Sequence, residues 1–258
     1  MSIPFGASMK IHQGWQVAVA LMGFTVLGPV VAQAQQQLHI LLDISSAPDA
    51  GDYALKSSPL VMEWYPKINA ILYGTDRPLP FNTVVVAFEP GMKVASVTSG
   101  NVIHVNSARI KVMPDDFRGM IIHELTHVVQ QYPPGQNDTG WLTEGIADYI
   151  RHKYFENDIQ PTLHLNNSGK LYGYRRTEPF FYGLQEAGTS LNEKGYLKSY
   201  QVTASFLFWL ENHKDKQIVQ DLNKKLSQAQ YSPELFQQFC GQPLDDLWAA
   251  FVTDSIAR

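Results

Sequence analysis

The chain holds a single cysteine, Cys240, among its 258 residues, so no disulfide can form within it and packing must carry its stability. Cys240 lies in Phe239-Cys-Gly-Gln-Pro243, and it reads as a small buried apolar residue rather than a nucleophile. An excess of basic charge is also missing. Twenty Lys and Arg face 24 Asp and Glu for a net charge of −4, with no basic stripe or run to neutralise phosphates, which excludes a nucleic-acid partner. Repeats and low-complexity tracts are lacking too. A chain 45% hydrophobic and 17% charged buries a full core and has no compositional reason for disorder.

Long apolar runs are confined to one place. Val17 to Val31 is interrupted by Gly23, Gly28 and Pro29, and at about fifteen residues it is short for a span of about twenty. Lys10 precedes it and Ala32-Gln33-Ala34 follows it with the small residues of a cleavage site. Residues 1–34 are therefore expected to be a signal peptide, with Met9 an alternative start, and the mature chain to begin at Gln35. A membrane anchor is the competing reading. Export to the periplasm or the medium follows from cleavage near Ala34, with no stable membrane anchor left.

The remaining 35–258 fits one domain, expected as a monomer. Strands are expected at 38–44, 83–88, 94–98 and 102–106, from β-branched runs and the Ser99-Gly100-Asn101 turn. Between the first two, 52–73 has helical periodicity, with Pro59 and Pro66 complicating its ends. After Pro114 the character changes to helices at 115–132, 141–156, 200–213, 216–228, 232–239 and 243–256. The fold class is α+β: a small mixed sheet lobe, 35–114, followed by a mainly helical lobe, 115–258. Segment 158–198 is loop-rich and aromatic and gives no clear pattern.

One run carries chemistry. His123-Glu124-Leu125-Thr126-His127 is an H-E-x-x-H sequence inside an apolar stripe of Met120, Ile121, Ile122, Leu125, Val128 and Val129. On a helix, residues i and i+4 share a face, so His123 and His127 can offer two imidazoles to one metal ion. Pro114-Asp115-Asp116 supplies the start of that helix and Pro133-Pro134-Gly135 its stop. A catalytic zinc takes three protein ligands and leaves a position for water. Glu144, one turn before Asp148 on the next helix, is the expected third ligand, with one zinc per chain. Glu124 is then the general base, and Asp148 accepts the second ring N–H of a ligand histidine. The reverse assignment, Asp148 as ligand and Glu144 behind it, stays open. The competing bland reading is a surface helix that happens to carry two histidines. His104 is read as a surface histidine, although strand alternation turns it to the side opposite Ile103 and Val105. Arg151 and His152 are read as peripheral, with Arg151 a possible partner of Asp148.

The runs His123–Gln130 and Glu144-Gly-Ile-Ala-Asp-Tyr-Ile-Arg151 resemble the plant basic secretory protein family, secreted zinc peptidases with bacterial and fungal members. Further matching blocks are Ser99–Asn106, Tyr200–Leu207, Val219–Lys225 and Asp246–Trp248, so the resemblance covers about residues 38 to 255. Segment 158–198 departs from the family pattern, and Ser199 and Ser205 stand where Gly and Arg are expected. The resemblance implies a gluzincin-like, zincin-type layout with the metal site in a cleft between sheet and helical lobes. It also directs attention to a tyrosine far downstream as the oxyanion donor, for which Tyr200 is the candidate and a core tyrosine the alternative.

The function expected is hydrolysis of peptide bonds in a peptide or protein substrate by a zinc-activated water. Strand 102–106 is the expected edge for an extended substrate. The alternatives are an exported zinc-containing binding or defence-type protein without turnover, and a metal-dependent amidase acting on cell-wall peptides.

Overall fold

The computed structural model describes residues 16–18, 37–159, 164–165, 171–172, 194–197 and 199–256. The cleavage site Ala32–Ala34 and most of segment 158–198 lie outside them. The fold is α+β, a small sheet in the N-terminal part followed mostly by helices, as the sequence implies. The chain divides into two compact units, Met1–Asn69 with Arg77–Val129, and Ala70–Asp76 with Gln130–Arg258.

The first unit contains strands β1 (Gln16–Ala18), β2 (His39–Asp43), β3 (Thr83–Glu89), β4 (Ser96–Ser99) and β5 (Val102–Asn106). Their order in the sheet is β1-β2-β3-β5-β4. β2, β3 and β5 run parallel, while β1 and β4 lie antiparallel on the two flanks. β5 is therefore paired on both sides and is not an edge, contrary to expectation. The Gly100 turn, with φ +58°, folds β4 back as a hairpin and places it outermost. β4 also begins two residues later than the expected 94–98, because Asn106 Nδ2 donates to the carbonyls of Met92 and Val94 and holds that stretch as a loop.

Helix α1 (Gly51–Tyr73) contains both Pro59 and Pro66 in its interior rather than at its ends. The two prolines are a heptad apart and both exposed, so their rings and missing N–H groups fall on the solvent side of the helix. Helix α2 (Ser107–Val112) has no counterpart among the expected elements. Asn106 caps it, its side chain accepting from the backbone N–H of Ala108 and Arg109. A 3-10 turn, Pro114–Asp116, leads into α3 (Phe117–Gln130), which ends as Gln131 turns to φ +43°. Ile40, Val84, Val86, Phe88, Ile103 and Val105 from the sheet and Ile121, Ile122, Leu125 and Val128 from α3 form the core of this unit.

The second unit contains α4 (Gly140–Ile150), α5 (Tyr200–His213), α6 (Ile218–Ser227), α7 (Glu234–Cys240) and α8 (Leu244–Ile256). Its core is aromatic: Phe206 stacks on Trp209 and Phe236 and meets Trp248 and Phe251 edge-on or tilted. Such pairs contribute about 0.5–1.5 kcal/mol each beyond burial. Fully buried Asn223 donates to the Leu72 carbonyl at 3.0 Å and accepts from the Tyr132 hydroxyl at 2.6 Å. α4 runs into a π-helical turn, Arg151–Phe155, in which Glu156 N–H reaches the Arg151 carbonyl. No helix among the described residues is long and apolar enough to cross a membrane.

Candidate metal centre

α3 forms where the apolar residues recur at helical spacing, and its packed face carries Ile121, Ile122, Leu125, Val128 and Val129, all fully buried. His127, one turn after His123, falls outside that stripe and stays partly exposed. The Nε2 atoms of the two rings are 3.2 Å apart. Two nitrogens at zinc–nitrogen distance in a tetrahedral shell are separated by about 3.3 Å, so this spacing suits one shared cation. His123, His127 and Glu144 form a group of possible metal-binding residues, each offering one ligand atom, with those atoms within 4.8 Å of one another. Two imidazoles and one carboxylate are the donor set of a catalytic zinc site, so the residues present fit the metal.

Glu124 is 5% exposed. The Ser96 hydroxyl donates to its Oε1 at 2.7 Å and the Thr98 hydroxyl to its Oε2 at 2.7 Å, with the Glu124 carbonyl 3.0 Å from the same Thr98 oxygen. Neither hydroxyl is marked by the sequence as part of the site. The available signal was their alternation on a strand, which puts residues 96 and 98 on one face.

Asp148 is buried on α4, one turn after Glu144. Between them, Gly145 lets α4 approach α5 closely against Thr203. Thr203 is itself fixed, its hydroxyl donating to the Tyr196 carbonyl at 2.7 Å. Tyr200 opens α5 and is 52% exposed, so it is not a core tyrosine.

His104 pairs with Glu89 at 2.6 Å. Its cross-strand partner is Val97, while Ser96 and Thr98 pair with the fully buried Val105 and Ile103, so His104 lies on the sheet face away from Glu124. Arg151 and His152 prove central to a second group. Arg151 lies 2.8 Å from Glu156, and His152 Nδ1 is 3.0 Å from Glu156 and 2.9 Å from Asp158. Glu156, His152 and Asp158 also lie within ligand spacing. The Arg151 guanidinium already supplies a fixed positive charge there, so the group is an ion-pair network rather than a second cation site. Burial acts to raise the Glu156 carboxyl, but the His152 hydrogen bond and the Arg151 charge outweigh it and hold the carboxyl at about 2. Burial acts to lower His152, and its bonds to Asp158 and Glu156 with the nearby Asp148 charge raise it on balance. Cys240 is partly exposed rather than buried, and desolvation pushes its thiol up to about 11, away from nucleophilic use.

A family model described as BSP, peptidase of plants and bacteria, matches residues 58–251. The chain belongs to this family. The match runs from within α1 into α8 and so includes every residue of the site just described. It agrees with the resemblance carried by the H-E-x-x-H run, and the family's description is that of a peptidase, a hydrolase of peptide bonds. No curated protein matches the chain.

Proposed function

We propose that this member of the peptidase family is a secreted zinc peptidase with Glu124 as its general base. The observation that carries this reading is the convergence of two imidazole nitrogens 3.2 Å apart with the Glu144 carboxylate, next in sequence to a buried carboxylate held by both its oxygens. His123, His127 and Glu144 would hold one zinc ion. Bound there, zinc supplies a Lewis acid that brings the pKa of a water toward 7. Glu124 takes the proton of the attacking water on a carboxylate oxygen and passes it to the departing amine. Asp148 accepts the second ring N–H of a ligand histidine and fixes its tautomer. Tyr200 donates a hydrogen bond from its hydroxyl to the oxyanion that develops on the substrate carbonyl. An extended peptide substrate pairs with β4, the outermost strand beside β5, through main-chain hydrogen bonds.

The test is cleavage of a proteome-derived peptide library and of cell-wall peptides, read by mass spectrometry, by zinc-loaded wild type and Glu124→Gln. The substitution spares the three ligands and removes the base. Cleavage by the wild type alone supports the reading. Stoichiometric zinc with no cleavage by either protein would instead indicate a binding protein without turnover. Cleavage confined to cell-wall peptides would indicate an amidase.

A further inference from the structure

We propose that Ser96 and Thr98 are positioning residues for Glu124, so that strand β4 sets the orientation of the catalytic base. This rests on the reading of Glu124 as that base. The two hydroxyls reach the two carboxylate oxygens one each, both at 2.7 Å. They come from alternate positions of one strand, and Val97 between them points the other way and is 46% exposed. The carboxylate is thereby held at three points, its own backbone and two donors on a neighbouring strand, which leaves its plane no free rotation. The single Thr98 proton serves the carboxylate at 2.7 Å, with the Glu124 carbonyl a longer second acceptor at 3.0 Å.

An ionised carboxylate oxygen has about two acceptor sites, so each oxygen held by one hydroxyl keeps another for a water proton. The arrangement thus restrains the base without filling it. Because the donors belong to the outermost strand of the sheet, a displacement of β4 moves the base with it. A purely structural role for the pair would be to satisfy a buried carboxylate, and that role predicts a loss of stability without a selective loss of turnover.

Kinetics with a quenched-fluorescent peptide, built on a sequence the wild type cleaves, decides between the two. Ser96→Ala and Thr98→Val are expected to lower kcat about tenfold each and about a hundredfold together, with KM within about twofold, as for a misplaced catalytic group. Zinc content by elemental analysis should remain at the wild-type level, and Thr98→Ser should restore most of the lost turnover. In the Glu124→Gln background the double substitution should cause no further loss of kcat, since the two hydroxyls act only through the base that this background has already removed. Near-normal kcat in a folded, zinc-loaded double variant overturns the proposal, as does a full additional loss in the Glu124→Gln background. If the double variant does not fold, Ser96→Ala alone carries the same comparisons. Failure of the underlying reading looks different: Glu124→Gln retains activity, or the wild type cleaves nothing.

Discussion

Gly145 passes Thr203 so closely that a β-carbon at 145 would lie 2.1 Å from the threonine Cγ2 and 2.6 Å from its Cβ. The neighbour of a candidate ligand is thus a point of close approach between α4 and α5. Gly145→Ala must push the helices apart, and overpacking of this kind costs about 1–3 kcal/mol. At about 2–4 °C per kcal/mol for a chain of this size, thermal unfolding should register the change. Adding Thr203→Ser removes only the nearer of the two clashing atoms, so partial recovery is expected; unchanged Tm in Gly145→Ala would refute the close approach.

Metal content tests the ligand set. We expect one zinc per chain, lost in His123→Ala, His127→Ala and Glu144→Ala, while Asp148→Asn weakens affinity about ten- to a hundredfold. The roles of Glu144 and Asp148 are exchanged if Glu144→Ala keeps stoichiometric zinc and Asp148→Ala loses it.

Tyr200 is half-exposed and Phe keeps its ring, so Tyr200→Phe should leave the protein folded. If its hydroxyl serves the oxyanion, kcat falls about a hundred- to a thousandfold with little change in KM. Near-normal turnover removes Tyr200 from the mechanism and turns attention to Tyr174 and Tyr182, which lie outside the described residues.

The Arg151–His152–Glu156–Asp158 network imposes a pH window. Glu156, held at about 2 against an ordinary 4.5, contributes stability above the ordinary carboxylate range that disappears as pH falls toward 2. His152, raised above its ordinary 6.5, contributes stability below that value that disappears as pH rises through its folded pKa. Denaturation of wild type and His152→Gln across pH should therefore show a gap that is widest between about 5 and 6.5 and closes on the alkaline side. A gap of constant size from pH 5 to 10 would exclude a charged His152.

Processing is read by N-terminal sequencing of exported protein, which should begin at Gln35. Cleavage there would also remove β1 and leave β2 as the outer strand on that flank. Retention of Val17–Val31 would point to an anchored form instead.

The sequence made the parallel strands legible through their β-branched runs, and α3 and α4 through periodicity, because each buries one continuous apolar face. The H-E-x-x-H pair needed only the helical repeat to be placed. What stayed hidden depends on contacts distant in sequence. Ser96 and Thr98 meet Glu124 across 28 and 26 residues, and nothing local distinguishes them from any solvated strand hydroxyls. The outer position of β4 required knowing that β5 pairs with β3. Helix α2 is hard to read from the sequence because it is short and Asn106 serves at once as the end of β5 and as the cap of the helix. Arg151 and His152 read as peripheral on helical spacing alone, which does not reveal the π-helical turn that brings Glu156 and Asp158 beside them.

Asn223 ties the carbonyl of Leu72 to a side chain 151 positions later in the chain. During synthesis, the last turn of α1 must therefore wait for most of the polypeptide before its amide partner exists. A fragment beginning at Gln130 would carry Asn223 without that partner, leaving a fully buried donor unsatisfied at a cost of about 1–3 kcal/mol. The helical unit thus includes a short piece of sequence made long before the rest of it, and joining the two requires the closure of a long loop.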